Sequence, residues 1–339
     1  MKSFFKAILI ITLIVFIWVF RIYTVFKKTP CSSGQRTVVL NIKDNMPMDK
    51  IAKRLKKKGL ISSAFLFKVM TILEGNETKL KSGEYELRRN MSPEEIMNIL
   101  KSGEEKKYYI TFPEGIRLEE IAEKLEKKHL VKKDEFLSLA RNRDFIKSLG
   151  IDAISLEGYL FPDTYAFTKR SGARYILRTM VRELKKRITP DDEAKMKSMG
   201  MNLHQILTIA SMIEKETYLD EEKPIIAAVF YNRLKKGMLL QCDPTVIYAK
   251  KKFNSRLYRK DLNYDSPYNT YRYSGLPPGP ICNPGEKSIR AALNPADVDY
   301  LYFVVAGEGR HKFSKTYSEH LNAVNEYKLS QKQKSNGKL

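Results

Sequence analysis

The stretch Leu203-His-Gln-Ile-Leu-Thr-Ile-Ala-Ser-Met-Ile-Glu-Lys-Glu-Thr217 constrains this chain more than any other. At about 100° per residue it reads as one helix. Leu203, Ile206, Leu207, Ile209, Ala210, Met212, Ile213 and Thr217 cover a broad apolar arc, and His204, Thr208, Ser211 and Lys215 fill the narrow remainder. A helix apolar over so wide an arc is buried, so other elements have to pack around it. Yet Glu214 and Glu216 both fall on that arc, one near each edge. A carboxylate on a buried helix either pairs with a cation or keeps its proton at neutral pH. The second state is that of a general acid. The first is that of a structural carboxylate at a helix end. The pattern alone leaves both readings open, for either glutamate.

The N-terminus sets a second constraint. Ala7–Phe20 is apolar except for Thr12, and after Arg21 the run resumes to Phe26, where Lys27-Lys28 stops it. Ala7–Phe26 makes about the twenty residues that a bilayer needs. Arg21 can snorkel, and Trp18 and Tyr23 suit an interface. No small-x-small cleavage site follows the run, which favours an uncleaved anchor over a signal peptide. Basic residues flank both ends and leave the orientation open.

The remaining composition is globular, with 43% hydrophobic residues, 19 Tyr and 16 Phe in 339 residues. The net charge of +22 is spread as Lys-Lys pairs on helices. It lacks the clustered Arg–aromatic pattern of a nucleic-acid groove, so no nucleic-acid partner is expected. Cys31, Cys242 and Cys282 form no CxxC pair or disulfide framework, and with four histidines they make no metal-ligand set. No glycine-rich phosphate loop is present, and no metal or cofactor is expected.

The patterning predicts a strand at 37–42, helices over 48–58 and 62–73, and a strand at 83–87. Ser92-Pro93-Glu94-Glu95 opens a further helix with a capping box. A repeat follows. Ile51-Ala-Lys-Arg-Leu-Lys-Lys-Lys-Gly-Leu-Ile61 matches Ile121-Ala-Glu-Lys-Leu-Glu-Lys-Lys-His-Leu-Val131, each after a strand candidate and before another helix. Two related strand–helix–helix units are therefore expected. The aromatic stretch 155–167, with Glu157 and Asp163, suits either a sugar-binding wall or a packed turn. The Tyr-, Asn- and Pro-rich segment 241–285 suits a groove for a polyhydroxylated polymer, or a rigid loop over the core. The polar tail 330–339 is expected to be disordered.

Ordered motifs then carry a resemblance: Ser82-Gly-Glu-Tyr85, Pro113-Glu-Gly115, Glu157-Gly-Tyr159, Phe161-Pro-Asp-Thr164, Ala210-Ser-Met-Ile-Glu-Lys-Glu-Thr217, Phe230-Tyr-Asn-Arg-Leu234, Gln241-Cys-Asp-Pro-Thr-Val246, Tyr268-Asn-Thr-Tyr271, Gly275-Leu-Pro-Pro-Gly279, Asn283-Pro-Gly285, Tyr300-Leu-Tyr-Phe-Val304 and His311-Lys-Phe-Ser314. The chain resembles the endolytic murein transglycosylases of the MltG (YceG-like) family from about Val38 to Tyr327.

That resemblance implies an α+β fold: a transmembrane helix, one or more small LysM-like α/β modules, then a mixed α+β catalytic domain. The expected divisions are a cytoplasmic tail at 1–6, the span at 7–26, a linker at 27–36 and a LysM-like module at 37–104. A second strand–helix–helix unit with connecting helices at 105–200 and the catalytic domain at 201–329 follow. It implies a single-pass enzyme of the cytoplasmic membrane, catalytic domain outside. The enzyme would cut MurNAc–GlcNAc bonds in nascent peptidoglycan strands, leave 1,6-anhydro-MurNAc ends and terminate strand elongation. Peptidoglycan synthases are candidate partners. It assigns Glu216 as the catalytic acid, and makes Glu157, Asp163, Gln241, Asp243, Tyr268, Asn269 and Tyr271 candidate substrate-binding residues. Cys242 is a departure, standing where the family usually has Thr.

Overall fold

The computed structural model describes residues 2–253, 255–307 and 309–336. The chain divides into two compact units, Met1–Tyr108 with Ala166–Arg170, and Tyr109–Tyr165 with Ser171–Leu339. The second unit runs across residue 200, and one bond over that position joins Tyr159 OH to His204 Nδ1 at 2.8 Å.

The first unit opens with α1 (Lys2–Lys28), among the described residues the one helix long and apolar enough to cross a membrane. It overruns the expected span at both ends, so Lys27 and Lys28 are helical and not linker. Then come β1 (Thr37–Ile42), α2 (Met48–Lys57), α3 (Ala64–Leu73), β2 (Gly83–Arg88) and α4 (Pro93–Ser102). β1 and β2 pair antiparallel, with Leu40 opposite Tyr85. Their inward residues Leu40, Ile42, Tyr85 and Leu87 pack on Ile51, Leu55, Phe67 and Met70 from α2 and α3. The capping box at Ser92 forms as the sequence predicts, and Gly103 closes α4 in the left-handed conformation.

The repeat reappears in β3 (Tyr108–Thr111), α5 (Leu118–Lys127), α6 (Lys133–Ala140), α7 (Arg143–Ser148) and β4 (Thr164–Phe167), with β3 paired to β4. The aligned pair Gly59 and His129 shows how close the two copies are. Both take positive φ, at 67° and 54°, just past the ends of α2 and α5. In both, the next amide reaches back to close the helix, Leu60 N to Leu55 O and Leu130 N to Leu125 O. Glycine takes that conformation freely, and histidine does so at a cost.

The second unit continues through α8 (Gly172–Arg187), α9 (Pro190–Ser198), α10 (Leu203–Glu216), α11 (Lys223–Lys235), α12 (Asp243–Lys250), α13 (Glu286–Leu293), β5 (Tyr302–Gly307), β6 (Arg310–Ser314) and α14 (Tyr317–Asn336). α10 packs against α11, α12 and α13. It is buried from Ile206 to Ile213, Thr208 and Ser211 included, so even the narrow polar side of the predicted arc is covered. Thr208 donates to His204 O and Ser211 to Thr208 O, which satisfies both hydroxyls inside the core. The tail expected to be disordered is helical through Asn336, because α14 runs on past Leu329; residues 337–339 lie outside the described ones.

Candidate active site

Three of the short motifs meet at one buried node beside α10. Asn283 donates from its amide to Ile116 O at 2.8 Å and to Glu157 Oε1 at 3.2 Å, and its Oδ1 accepts from Leu160 N at 2.9 Å. Its backbone exchanges bonds with Gly115 and Ile116. Gly158 turns through φ +85°, and a Cβ there would lie 2.3 Å from Pro280, so the turn requires glycine. The Ile281–Asn283 segment is fastened to α10 itself: Ile281 N donates to Ser211 Oγ at 3.0 Å.

This node settles what the carboxylate of Glu157 does. Glu157 is 3% exposed and accepts from Leu118 N at the start of α5, and Tyr248 OH donates to it. Burial lifts its pKa to about 8. It accepts at the N-terminus of α5 from inside the protein. The aromatic stretch around it packs inward too, with Tyr159, Phe161, Tyr165 and Phe167 all buried. Asp163 is exposed, pairs with Arg187 at 3.6 Å and turns its own loop through Thr164 N.

The two glutamates of α10 have opposite environments. Glu214 Oε2 accepts from Gly285 N at 2.9 Å and Ser288 Oγ at 2.6 Å, with Lys223 at 4.0 Å. Gly285 precedes α13, so Glu214 caps that helix and sits at the positive end of its dipole. It is the structural carboxylate. Glu216 is the last residue of α10 and keeps partial exposure. Burial of its carboxyl pushes its pKa up to about 7, with the negative charge of Asp243 adding to the rise. The carbonyl end of α10 disfavours a charge there as well. A hydrogen bond from Cys242 and the positive charge of Arg233 act the other way and do not prevail. Arg233 is committed elsewhere: its Nε donates to Leu301 O at 2.6 Å and its Nη1 to Leu240 O at 2.8 Å.

Why α10 stops there is local. Thr217 takes an extended conformation, accepts at Oγ1 from Leu219 N, and donates to Glu222 Oε2 at 3.1 Å. Glu222 in turn accepts from His311 through both backbone N and Nδ1. The turn after Glu216 is thereby tied to β6.

Cys242 and Asp243, at the start of α12, stand beside Glu216. Gln241 is exposed with φ 51°, a strained conformation for glutamine. Two bonds to Thr270 hold it: Gln241 N to Thr270 O at 3.1 Å and Cys242 N to Thr270 Oγ1 at 2.9 Å. Thr245 and Thr270 hydroxyls join at 2.9 Å. Asp243, exposed at the start of α12, accepts from Tyr271 OH at 2.6 Å. Tyr268 lies half-buried against Tyr248, with ring centroids 5.0 Å apart. Asn269 is wholly buried, and its amide donates to Leu262 O and Tyr264 O while its Oδ1 accepts from Tyr271 N. It braces its own loop and presents nothing to a ligand.

Of the candidate residues, Asp243 and Tyr271 lie close enough to Glu216 to interact with it, and Gln241 adjoins them in the chain. Glu157 and Asn269 are buried and bonded within the protein. Thr270 is the piece that sequence reasoning missed, and Cys242, noted only as a departure from the family, turns out to touch Glu216. Both lie inside motifs, but burial and a thiol contact have no periodic signature.

Fold and site define a mixed α+β protein with one apolar N-terminal helix and one acid-type carboxyl at the end of a buried helix. The model of the YceG-like family matches residues 40–326, and the chain belongs to that family. It is 37% identical over 317 residues to the endolytic murein transglycosylase of Bacillus subtilis, covering 89% of this chain and 88% of that protein. It is 30% identical over 328 residues to the endolytic murein transglycosylase of Streptococcus pneumoniae, covering 87% of this chain but 59% of that longer protein. The crystal structure of a YceG-like protein from Listeria monocytogenes, 35% identical, superposes with a TM-score of 0.58 over 85% of this chain and 99% of its own.

Proposed function

We propose that this chain is a membrane-anchored endolytic murein transglycosylase in which Glu216 is the general acid and then the general base. The observation that carries the reading is the contrast within α10: Glu214 is locked as a helix cap, while burial keeps a proton on Glu216 near neutral pH. Glu216 gives its proton to the glycosidic oxygen between MurNAc and GlcNAc, and the C1–O bond breaks. The same carboxylate then takes the proton of the MurNAc C6 hydroxyl as C6–O bonds to C1. No water enters, so one carboxyl group suffices where a hydrolase needs two. Gln241, Asp243 and Tyr271, with Tyr268 further along the loop, supply polar and aromatic contacts to the strand. The strand–helix–helix–strand order of residues 37–88 supports a LysM-like, glycan-binding module.

Location follows from the substrate. α1 spans the cytoplasmic membrane with residues 1–6 inside, and the two units lie outside, where nascent strands would be cut and their elongation ended beside peptidoglycan synthases. Mass spectrometry of uncrosslinked glycan strands digested by the purified chain tests the chemistry. The released anhydro ends should be lighter by one water than hydrolytic ends; ordinary reducing ends would convert the reading to a hydrolase. Protease added to spheroplasts should degrade the large portion, and full protection would reverse the topology.

A further inference from the structure

α3 has the sequence Ala-Phe-Leu-Phe-Lys-Val-Met-Thr-Ile-Leu, with Lys68 as its one charge. Phe67 and Met70 point into the core of its unit and are fully buried. The opposite side is also apolar, and it is bare: Phe65 is 73% exposed, Leu73 68% and Ile72 44%. A core helix of a water-facing module normally turns charged residues outward. An apolar face this open marks an interaction surface.

That face continues an apolar surface already present. Phe65, Val69 and Leu73 line one groove together with Phe16, Val19 and Phe20 of α1. The depth of those α1 residues follows from helix geometry. At 1.5 Å per residue, Phe16 lies about 15 Å along the axis from Phe26, half of a hydrocarbon core of about 30 Å. With Ala7–Phe26 as the span, Phe16–Phe26 occupies the outer leaflet, and α3 lies alongside it. The attachment is firm. Phe26 is 6% exposed in the core of the unit, and Lys27 Nζ bridges Glu74 at 2.9 Å and Glu94 at 3.0 Å. Tyr23 OH also donates to Glu74 Oε1. The bare face of α3 thus continues the surface that α1 offers to acyl chains, which makes lipid its occupant.

We infer that α3 is a second membrane contact: an interfacial helix whose Phe65–Ile72–Leu73 face is sunk in the outer leaflet, with the leaflet's lipids as its partner. The inference rests on α1 crossing the bilayer, and goes beyond it. It makes the first unit a part of the membrane surface instead of a module swinging on a flexible tether.

The full-length chain in vesicles of phosphatidylcholine and phosphatidylglycerol tests it. Trp18 is the single tryptophan, so it reports on α1 in the native chain. In a Trp18→Phe background, Phe65→Trp and, separately, Leu73→Trp report on α3. With lipids brominated on the upper acyl chain, emission from both variants should fall about twofold or more, and both should resist aqueous acrylamide, as for a helix lying 5–10 Å into the interface. If native Trp18 is quenched by the brominated lipid while the α3 variants are open to acrylamide, the inference fails and the anchor stands. If Trp18 is not quenched either, α1 does not span and both fall. Shielding of the α3 variants from acrylamide and lipid alike would mean that protein covers the face, which also overturns it.

Discussion

Replacing Glu216 by glutamine keeps the size of the side chain and removes its acidic proton. Two effects of opposite sign should follow, and their combination is diagnostic. Cleavage should fall by about 10²–10⁴-fold, the usual contribution of a general acid–base group. Stability should rise, in a pH-dependent way. The folded protein holds the Glu216 carboxyl at about 7, against 4.5 for an ordinary glutamate. A carboxyl raised on folding costs stability as it ionises. The cost is absent below pH 4.5, grows between 4.5 and 7, and is complete above 7. At 1.36 kcal/mol per pH unit it reaches about 3 kcal/mol. Glu216→Gln should therefore match wild type near pH 4 and exceed it by up to about 3 kcal/mol at pH 8. Thermal melts at both values, together with mass spectrometry of glycan digests, measure the two effects on one sample. The wild-type kcat/KM should also decline tenfold per pH unit above about 7, since the reaction begins with a protonated acid. An active Glu216→Gln variant would refute the assignment. A dead variant with the same stability offset at both pH values would refute the burial argument.

Glu214→Gln should instead lower stability by about 1–2 kcal/mol, because it removes the charged cap of α13, while cleavage stays within about tenfold of wild type; melts and initial rates on the same variant separate the two. Cys242→Thr places a stronger donor against Glu216 and favours its ionised form, so the alkaline limb of the pH–rate profile should move to lower pH. His129→Gly should stabilise the protein by about 0.5–1 kcal/mol in denaturant titrations by relieving a left-handed histidine, and leave cleavage unchanged.

Much of the local structure was legible in advance because its causes are local. The 3.6-residue period marked the helices, and the Ser92 capping box and Gly59 marked where α4 begins and α2 ends. Even the repeat extended to the conformation of His129, a residue with no reason of its own to be left-handed. The polar tail differs for the opposite reason: no stop signal follows Leu329, and α14 continues to Asn336.

The sequence by itself determined that 203–217 would be a buried helix bearing two carboxylates, that an apolar segment precedes everything else, and that family motifs converge on the C-terminal half. Its helical pattern could not separate Glu214 from Glu216, a choice that came from the family resemblance alone, and it could not tell whether Asn269 and Glu157 would be exposed or buried. Those distinctions depend on residues far apart in the chain. Gly285 and Ser288 donate to Glu214 from about seventy residues further along the chain. Asn283 reaches back to Glu157, and Thr270 pins the strained Gln241. A carboxyl group becomes an acid or a cap according to which donors surround it, and only the tertiary structure brings those donors within hydrogen-bonding distance.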